Sequence, residues 1–119
     1  MKKFFYLSTC DTCKKIIKSL QLPEQIELID IKIRPISEDE LDCMKDLSGS
    51  FESLYSKKAI KHRSLGLNIQ NLMELDFKRL ILEEYTFLKR PVLVIDDHIV
   101  IGNSKEAIDK MLNHIEQFR

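Results

Sequence analysis

The chain has 119 residues, with 19 basic and 19 acidic side chains and a formal net charge of zero. That length accommodates one domain with a sizeable core and is short for two, and the charge balance leaves no electrostatic footprint for nucleic acid or a membrane surface. Three cysteines, an odd count, argue against a secreted disulfide framework.

The N-terminus, Met1-Lys2-Lys3, begins like a signal peptide, but the apolar run stops at Leu7. That is too short for a signal-peptide core, and no run approaches membrane length. The expectation is a single cytoplasmic domain over residues 1–119, a compartment in which a Cys-x-x-Cys pair is catalytic or sensing rather than structural.

Phe4-Phe5-Tyr6-Leu7 reads as a central strand covered on both faces. Ser8-Thr9-Cys10-Asp11-Thr12-Cys13 follows, and a helix is predicted from Asp11 to Leu20. Two cysteines two residues apart, where a strand meets a helix, read as a redox site. The first turn of a helix has N–H groups without partners and carries the positive end of the macrodipole, so a thiolate there is stabilised and its pKa falls. Lys14, one turn on, adds a positive charge. Cys13, Ile16, Ile17 and Leu20 fall on one stripe, which turns Cys13 inward and leaves Cys10 at the exposed tip. That arrangement suits an attacking thiol with a resolving thiol behind it. A zinc half-site or two buried structural cysteines are the alternatives; the chain has no second Cys-x-x-Cys or histidine pair at ligand spacing, and the redox reading is preferred, with no metal expected.

Gln21 to Glu24 breaks the helix, and Ile26 to Ile31 forms a second strand interrupted by Glu27 and Asp30. Ser37-Glu38-Asp39-Glu40 is a capping box for a helix reaching Ser48, with Gly49 placed to end it. Phe51, Leu54 and Tyr55 suggest a short helix. Lys57 to Arg63 reads as a solvated basic face. Leu72, Met73, Phe77, Leu80, Ile81 and Tyr85 recur at helical spacing as core, in one helix or in two with a break near Asp76. Pro91–Ile95 and Ile99–Ile101 form a hairpin through Asp96-Asp97-His98. Ser104 then caps a last helix with Ile108, Met111, Leu112 and Ile115 on its apolar face. Cys43, beside an apolar stripe, is expected to be a buried structural thiol. His62, His98 and His114 carry no ligand spacing.

The order βαβ, an all-helical middle, then ββα is that of an α/β thioredoxin-like fold: a mixed four-stranded sheet with a helical insertion, about 37–86, between strands 2 and 3. Pro91 opens the third strand, and X–Pro bonds accept the cis form far more readily than others. A cis proline there presents backbone polar groups to the redox site without an N–H of its own.

Cys10-Asp-Thr-Cys13, Pro35-Ile-Ser-Glu-Asp-Glu-Leu41, Leu65-Gly-Leu67, Leu88-Lys-Arg90-Pro91 and Ile101-Gly102 together resemble the ArsC/Spx family of thioredoxin-fold proteins, over nearly the whole chain. The resemblance implies that Cys10 is the catalytic cysteine of an arsenate reductase-like enzyme. It implies that Arg90, before the cis proline, holds the oxyanion and lowers the cysteine pKa, a task suited to a fixed, forked guanidinium. Cys13 is the expected resolving thiol. Thr9, Asp11, Thr12, Lys14 and Pro91 are the expected substrate-binding residues.

Ser56 and Gly102 stand where the arsenate reductases carry two further arginines. Cys13 stands where glutaredoxin-linked members have serine, as in the Spx branch. The implied activity is thiol-dependent reduction of an oxyanion or a disulfide such as a glutathione adduct. No cofactor is bound; glutathione or another thiol is co-substrate, and glutaredoxin or thioredoxin is electron donor to a monomer. The alternative is an Spx-like redox-sensing regulator that docks on the RNA polymerase α subunit through the region 46–51.

Overall fold

The structure is a computed structural model and describes residues 1–118. The chain divides into two compact units, one formed by Met1–Arg34 together with the chain from Arg90 onward, the other by Pro35–Lys89.

The first unit is a four-stranded mixed sheet in the order β2-β1-β3-β4, with β1 Lys2–Tyr6, β2 Glu27–Asp30, β3 Val92–Ile95 and β4 His98–Ile101. β1 runs parallel to β2 and antiparallel to β3, and β3 and β4 form a hairpin. The parallel pair needs a crossover, supplied by α1, Asp11–Leu20. This is the thioredoxin-like arrangement expected from the element order.

Side chains alternate across the sheet as strand geometry requires. Phe4 pairs with Leu93 and turns with it to the face covered by α1 and by α5, Lys105–Phe118. There Phe4 packs in one apolar cluster with Ile16, Leu20, Ile95, Met111 and Ile115. Its neighbour Phe5, paired with Val92, points to the opposite face and is also fully buried. Each such side chain contributes roughly 1.5–3 kcal/mol through burial.

Small departures from the expected boundaries have local causes. β2 is an edge strand, so Leu28 is half exposed although it lies in an apolar run. β4 begins at His98, because Ile95 and His98 pair directly across a two-residue turn. Asp96 takes a positive φ of 53° in that turn, a conformation Asp tolerates. Ser104 Oγ accepts the Ala107 N–H at 3.1 Å and so caps α5. Ala107, Met111 and Ile115 form the buried ridge of α5, and Ile108 and Leu112 flank it half-buried.

In the second unit α2 spans Glu38–Ser48 and both arms of its capping box are made: Glu40 N–H to Ser37 Oγ at 3.1 Å and Ser37 N–H to Glu40 Oε1 at 3.0 Å. Gly49 ends the helix at φ 98°, donating its N–H to Lys45 O, a left-handed conformation that favours glycine. Two shorter helices follow, α3 Ile60–Ser64 and α4 Glu74–Glu83.

One open alternative in this unit is decided and three expectations are corrected. α4 is one helix without a break near Asp76, the first of the two arrangements the spacing allows; Asp76 lies in its first turn, its carboxylate accepting the Met73 N–H at 2.8 Å. Met73 therefore precedes the helix and is exposed rather than core. The basic run on α3 is not wholly solvated, because His62 is buried, with its Nδ1 2.8 Å from Tyr55 Oη. Tyr55 stacks on Phe87 and tilts against Phe77, making the aromatic centre of the unit. Cys43 is half-buried rather than buried.

Candidate functional site

β1 delivers the chain to the sheet's end at Tyr6, and a tight turn follows. Its closing bond runs from Cys10 N–H to Leu7 O at 3.0 Å. The turn leaves Cys10 as the N-cap of α1, with extended backbone at φ −97° and ψ 111°. Lys14 donates its N–H to Cys10 O, the first bond of the helix. An N-cap residue sits where the first N–H groups of the helix have no internal partner. In Cys10 the side chain that meets them is a sulfur.

Both thiols are free, with Cys10 half-buried and Cys13 fully buried. Burial pushes the Cys10 thiol up, but the backbone N–H and side chain of Cys13, the charge of Arg90 and the Thr12 N–H outweigh it, and the net pKa lies below the ordinary thiol value. Cys13 goes the other way. Burial pushes it up to about 11; the Leu7 backbone and Arg90 pull it down, while its hydrogen bond to Cys10 and the Cys10 charge hold it up. Two chemically identical groups one helical turn apart thus divide into an ionisable sulfur near the surface and a protonated one beneath it.

Arg90 reaches this site from the start of β3 and acts electrostatically on both sulfurs. The Arg90–Pro91 peptide is cis. Pro91 is buried, and its carbonyl accepts the Gly102 N–H at 2.9 Å, so that polar group is engaged within the β3–β4 hairpin. Gly102 takes φ 99°. Ser56 belongs to the Pro35–Lys89 unit and donates its N–H to Phe87 O at 2.7 Å.

The structure therefore brings Cys10, Cys13 and Arg90 together. Thr9, Asp11 and Thr12 lie exposed around the sulfur-bearing turn, and Thr12 adds its N–H to Cys10. Lys14 is exposed on α1, and Arg90 is a side-chain cation that acts on Cys10. Among the described residues no cluster of three or more His, Cys, Asp or Glu groups is placed to hold a metal, and no helix is long and apolar enough to cross a membrane.

One residue beside the site escaped the reading of the sequence. Asp30 ends β2 in register with Tyr6 and is buried, with 9% of its surface exposed. Its Oδ1 accepts the Ser8 N–H at 3.3 Å and the Lys32 N–H at 3.1 Å. Burial raises its pKa, but bonds from Ser8 and Lys32 and the Lys32 charge hold it below the usual carboxylate range. The available signal was an acid interrupting the apolar second strand. Glu27 interrupts it too and is exposed.

The fold has counterparts among solved structures. An ArsC-family-related protein from Bacteroides fragilis matches at 24% identity and a TM-score of 0.75, covering 93% of this chain and 98% of its own. A Staphylococcus aureus protein matches at 27% and 0.73, covering 92% and 97%. An arsenate reductase from Vibrio cholerae matches at 16% and 0.75, covering 93% and 98%. No curated protein sequence matches the chain. The ArsC family model spans residues 5–111, from the first strand to the last helix and through every residue of the site; with that extent of agreement in sequence, and the same fold beneath it, this chain belongs to the ArsC family.

Proposed function

We propose that the protein is a thiol-dependent reductase of the arsenate reductase type, with Cys10 as attacking thiolate, Arg90 as its electrostatic partner and Cys13 as resolving thiol. The observation that carries this reading is the division of the two sulfurs: α1 N–H groups and Arg90 favour the Cys10 anion, while Cys13 stays protonated. A thiolate, not a thiol, is the nucleophile, and the attacking member of a pair is the more acidic and more exposed one.

On a mixed disulfide of glutathione, the Cys10 thiolate attacks one sulfur. A Cys10–substrate disulfide forms, and the second thiolate leaves. Cys13 gives up its proton, attacks the Cys10 sulfur and releases the remaining thiolate, so that the pair ends oxidised and the substrate reduced by two electrons. Glutaredoxin with glutathione, or thioredoxin, then returns two electrons to the Cys10–Cys13 disulfide. With an oxyanion such as arsenate, Cys10 displaces a hydroxide from the central atom. A second thiol attacks the Cys10 sulfur, and the electron pair of the broken bond reduces that atom.

Thr9, Asp11, Thr12 and Lys14 line the approach to Cys10 in this reading, and Pro91 fixes the start of β3 from which Arg90 reaches it. Gly102 and Ser56 supply no guanidinium for a dianion, which favours the disulfide substrate over arsenate. The test is a pair of assays with glutathione and glutaredoxin, one reading arsenate reduction and the other reduction of a glutathionylated peptide. Turnover of the peptide that disappears in Cys10→Ser supports the proposal. Full activity in Cys10→Ser ends it.

The pair at Cys10 and Cys13 also favours a second reading, an Spx-like redox-sensing regulator. Hydrogen-bonded thiols on one helical turn suit a disulfide switch as well as a catalytic cycle. Binding to the RNA polymerase α subunit in one redox state only is its expected signature, and absence of binding in both states removes it.

A further inference from the structure

We propose that Asp30 is a positioning residue for Cys10, acting through the peptide between Leu7 and Ser8; the inference rests on Cys10 being the reacting thiol. Strand formation does not account for this side chain. Its neighbours Ile29 and Ile31 are buried and apolar, whereas Asp30 brings a carboxylate whose Oδ2 is buried with no hydrogen-bond partner. Leaving a buried polar atom unbonded is unfavourable, so the carboxylate is explained by what its other oxygen holds.

Oδ1 holds one edge of a single peptide plane. A trans peptide is planar, with its N–H and C=O on opposite edges, and the Leu7–Ser8 bond is not among the cis bonds of the chain. The Ser8 N–H on one edge donates to Asp30 Oδ1. The Leu7 carbonyl on the other edge accepts the Cys10 N–H at 3.0 Å. The Lys32 N–H anchors the same oxygen from the chain beyond β2. Rotation of that plane would break the Cys10 N–H bond and shift the sulfur relative to the Thr12 and Cys13 N–H groups that favour its anion. The Leu7 N–H, on the preceding peptide, donates to the second sulfur, Cys13. Asp30 touches neither thiol in this scheme and fixes the turn that aims them.

The test is the rate of iodoacetamide alkylation at Cys10, resolved by peptide mass spectrometry across pH, with folding checked by urea titration. Asp30→Ala is expected to slow alkylation at pH 7 by about fivefold, the effect of one hydrogen bond of about 1 kcal/mol. Asp30→Asn keeps an oxygen acceptor in the same place and is expected to stay within about twofold of the parent protein. A folded Asp30→Ala with the parent rate overturns the proposal. So does an Asp30→Asn as slow as Asp30→Ala, which assigns the effect to charge rather than to the held peptide. If Asp30→Ala does not fold, Ser8→Pro removes the donated N–H at a turn position that suits proline, and Ser8→Ala removes only the hydroxyl, which also bonds the carboxylate; a Cys10 slowed in Ser8→Pro beyond Ser8→Ala supports the proposal and equal rates in the two overturn it. A parent protein whose Cys10 reacts no faster than Cys43 fails the reading of Cys10 as the reacting thiol and takes this proposal with it, whereas a fast Cys10 indifferent to Asp30 fails this proposal alone.

Discussion

Cys10 and Cys13 hydrogen-bond to each other across the first turn of α1, and the contact drives their acidities apart: it lowers the pKa of Cys10 and raises that of Cys13. The asymmetry comes from position. Cys10 is the N-cap and meets backbone N–H groups, whereas Cys13 is one turn inside, fully buried on the stripe with Ile16 and Leu20.

Arg90 is a side-chain charge acting on that pair, so its removal should be read directly in Cys10. An opposite charge nearby shifts a pKa by roughly 1–3 units. Arg90→Gln is expected to raise the Cys10 pKa and so to slow its alkylation at pH 7. The absorbance of the thiolate near 240 nm, followed against pH in parent and variant, checks it. Superimposable titrations would remove Arg90 from the site.

Cys13 gives the reduced protein a loss of stability in base. Its folded pKa lies at about 11, above the ordinary thiol value, so the unfolded chain releases this proton first as pH rises. Stability is therefore full below the unfolded pKa and declines through the folded one, by on the order of 2 kcal/mol. Cys10 has the opposite sign: its depressed folded pKa contributes stability above the unfolded value, lost as pH falls through the folded one. Urea midpoints under reductant at pH 8 and pH 10.5 should fall further in the parent than in Cys13→Ser. Equal declines would show that Cys13 is not the titrating group.

Tyr55 and His62 make the second unit sensitive to acid. Burial, then the charges of Lys57 and Arg63, hold the His62 pKa below its ordinary value. The unfolded chain takes up this proton before the folded one, so stability is complete above the unfolded pKa and falls as pH drops through the folded one. His62→Gln is expected to flatten the stability profile between pH 7 and pH 5. Tyr55→Phe keeps the ring contacts with Phe77 and Phe87 but strips His62 Nδ1 of its partner, at a cost of about 1–3 kcal/mol. Urea titration at both pH values measures each effect; a Tyr55→Phe as stable as the parent would mean the bond contributes nothing.

Ser37 tests whether the capping box matters apart from the redox chemistry. Ser37→Ala loses one of its two reciprocal bonds and is expected to lower stability by about 1 kcal/mol. Cys10 alkylation should not change. A thermal melt paired with the alkylation rate separates the two outcomes, and a changed Cys10 rate would contradict the assignment of Ser37 to the helix end alone.

The elements that were legible in the sequence are those governed by neighbours along the chain. The cysteine turn, the Ser37–Glu40 box, the Gly49 stop, the Ser104 cap and the β3–β4 hairpin depend on side chains within four residues of the backbone they satisfy. Asp76 left the helix pattern open, because an acid amid apolar residues fits either a break or a first-turn carboxylate; in the structure it is the latter, accepting the Met73 N–H. His62 and Asp30 could not be placed from sequence because each is defined by a partner the local pattern does not name: Tyr55, seven residues away, for one, and the Ser8 amide, twenty-two residues away, for the other.

The sequence by itself determined that a thiol would stand at a helix N-terminus after a central strand, because strand period, helix period and capping are local and additive. Only the tertiary structure decided which charge acts on that thiol and which sulfur keeps its proton. Arg90 lies eighty residues from Cys10 along the chain and reaches it because β3 pairs antiparallel with β1. Electrostatic interaction depends on distance in space and on burial, and neither is fixed until the sheet has closed and α1 has packed upon it.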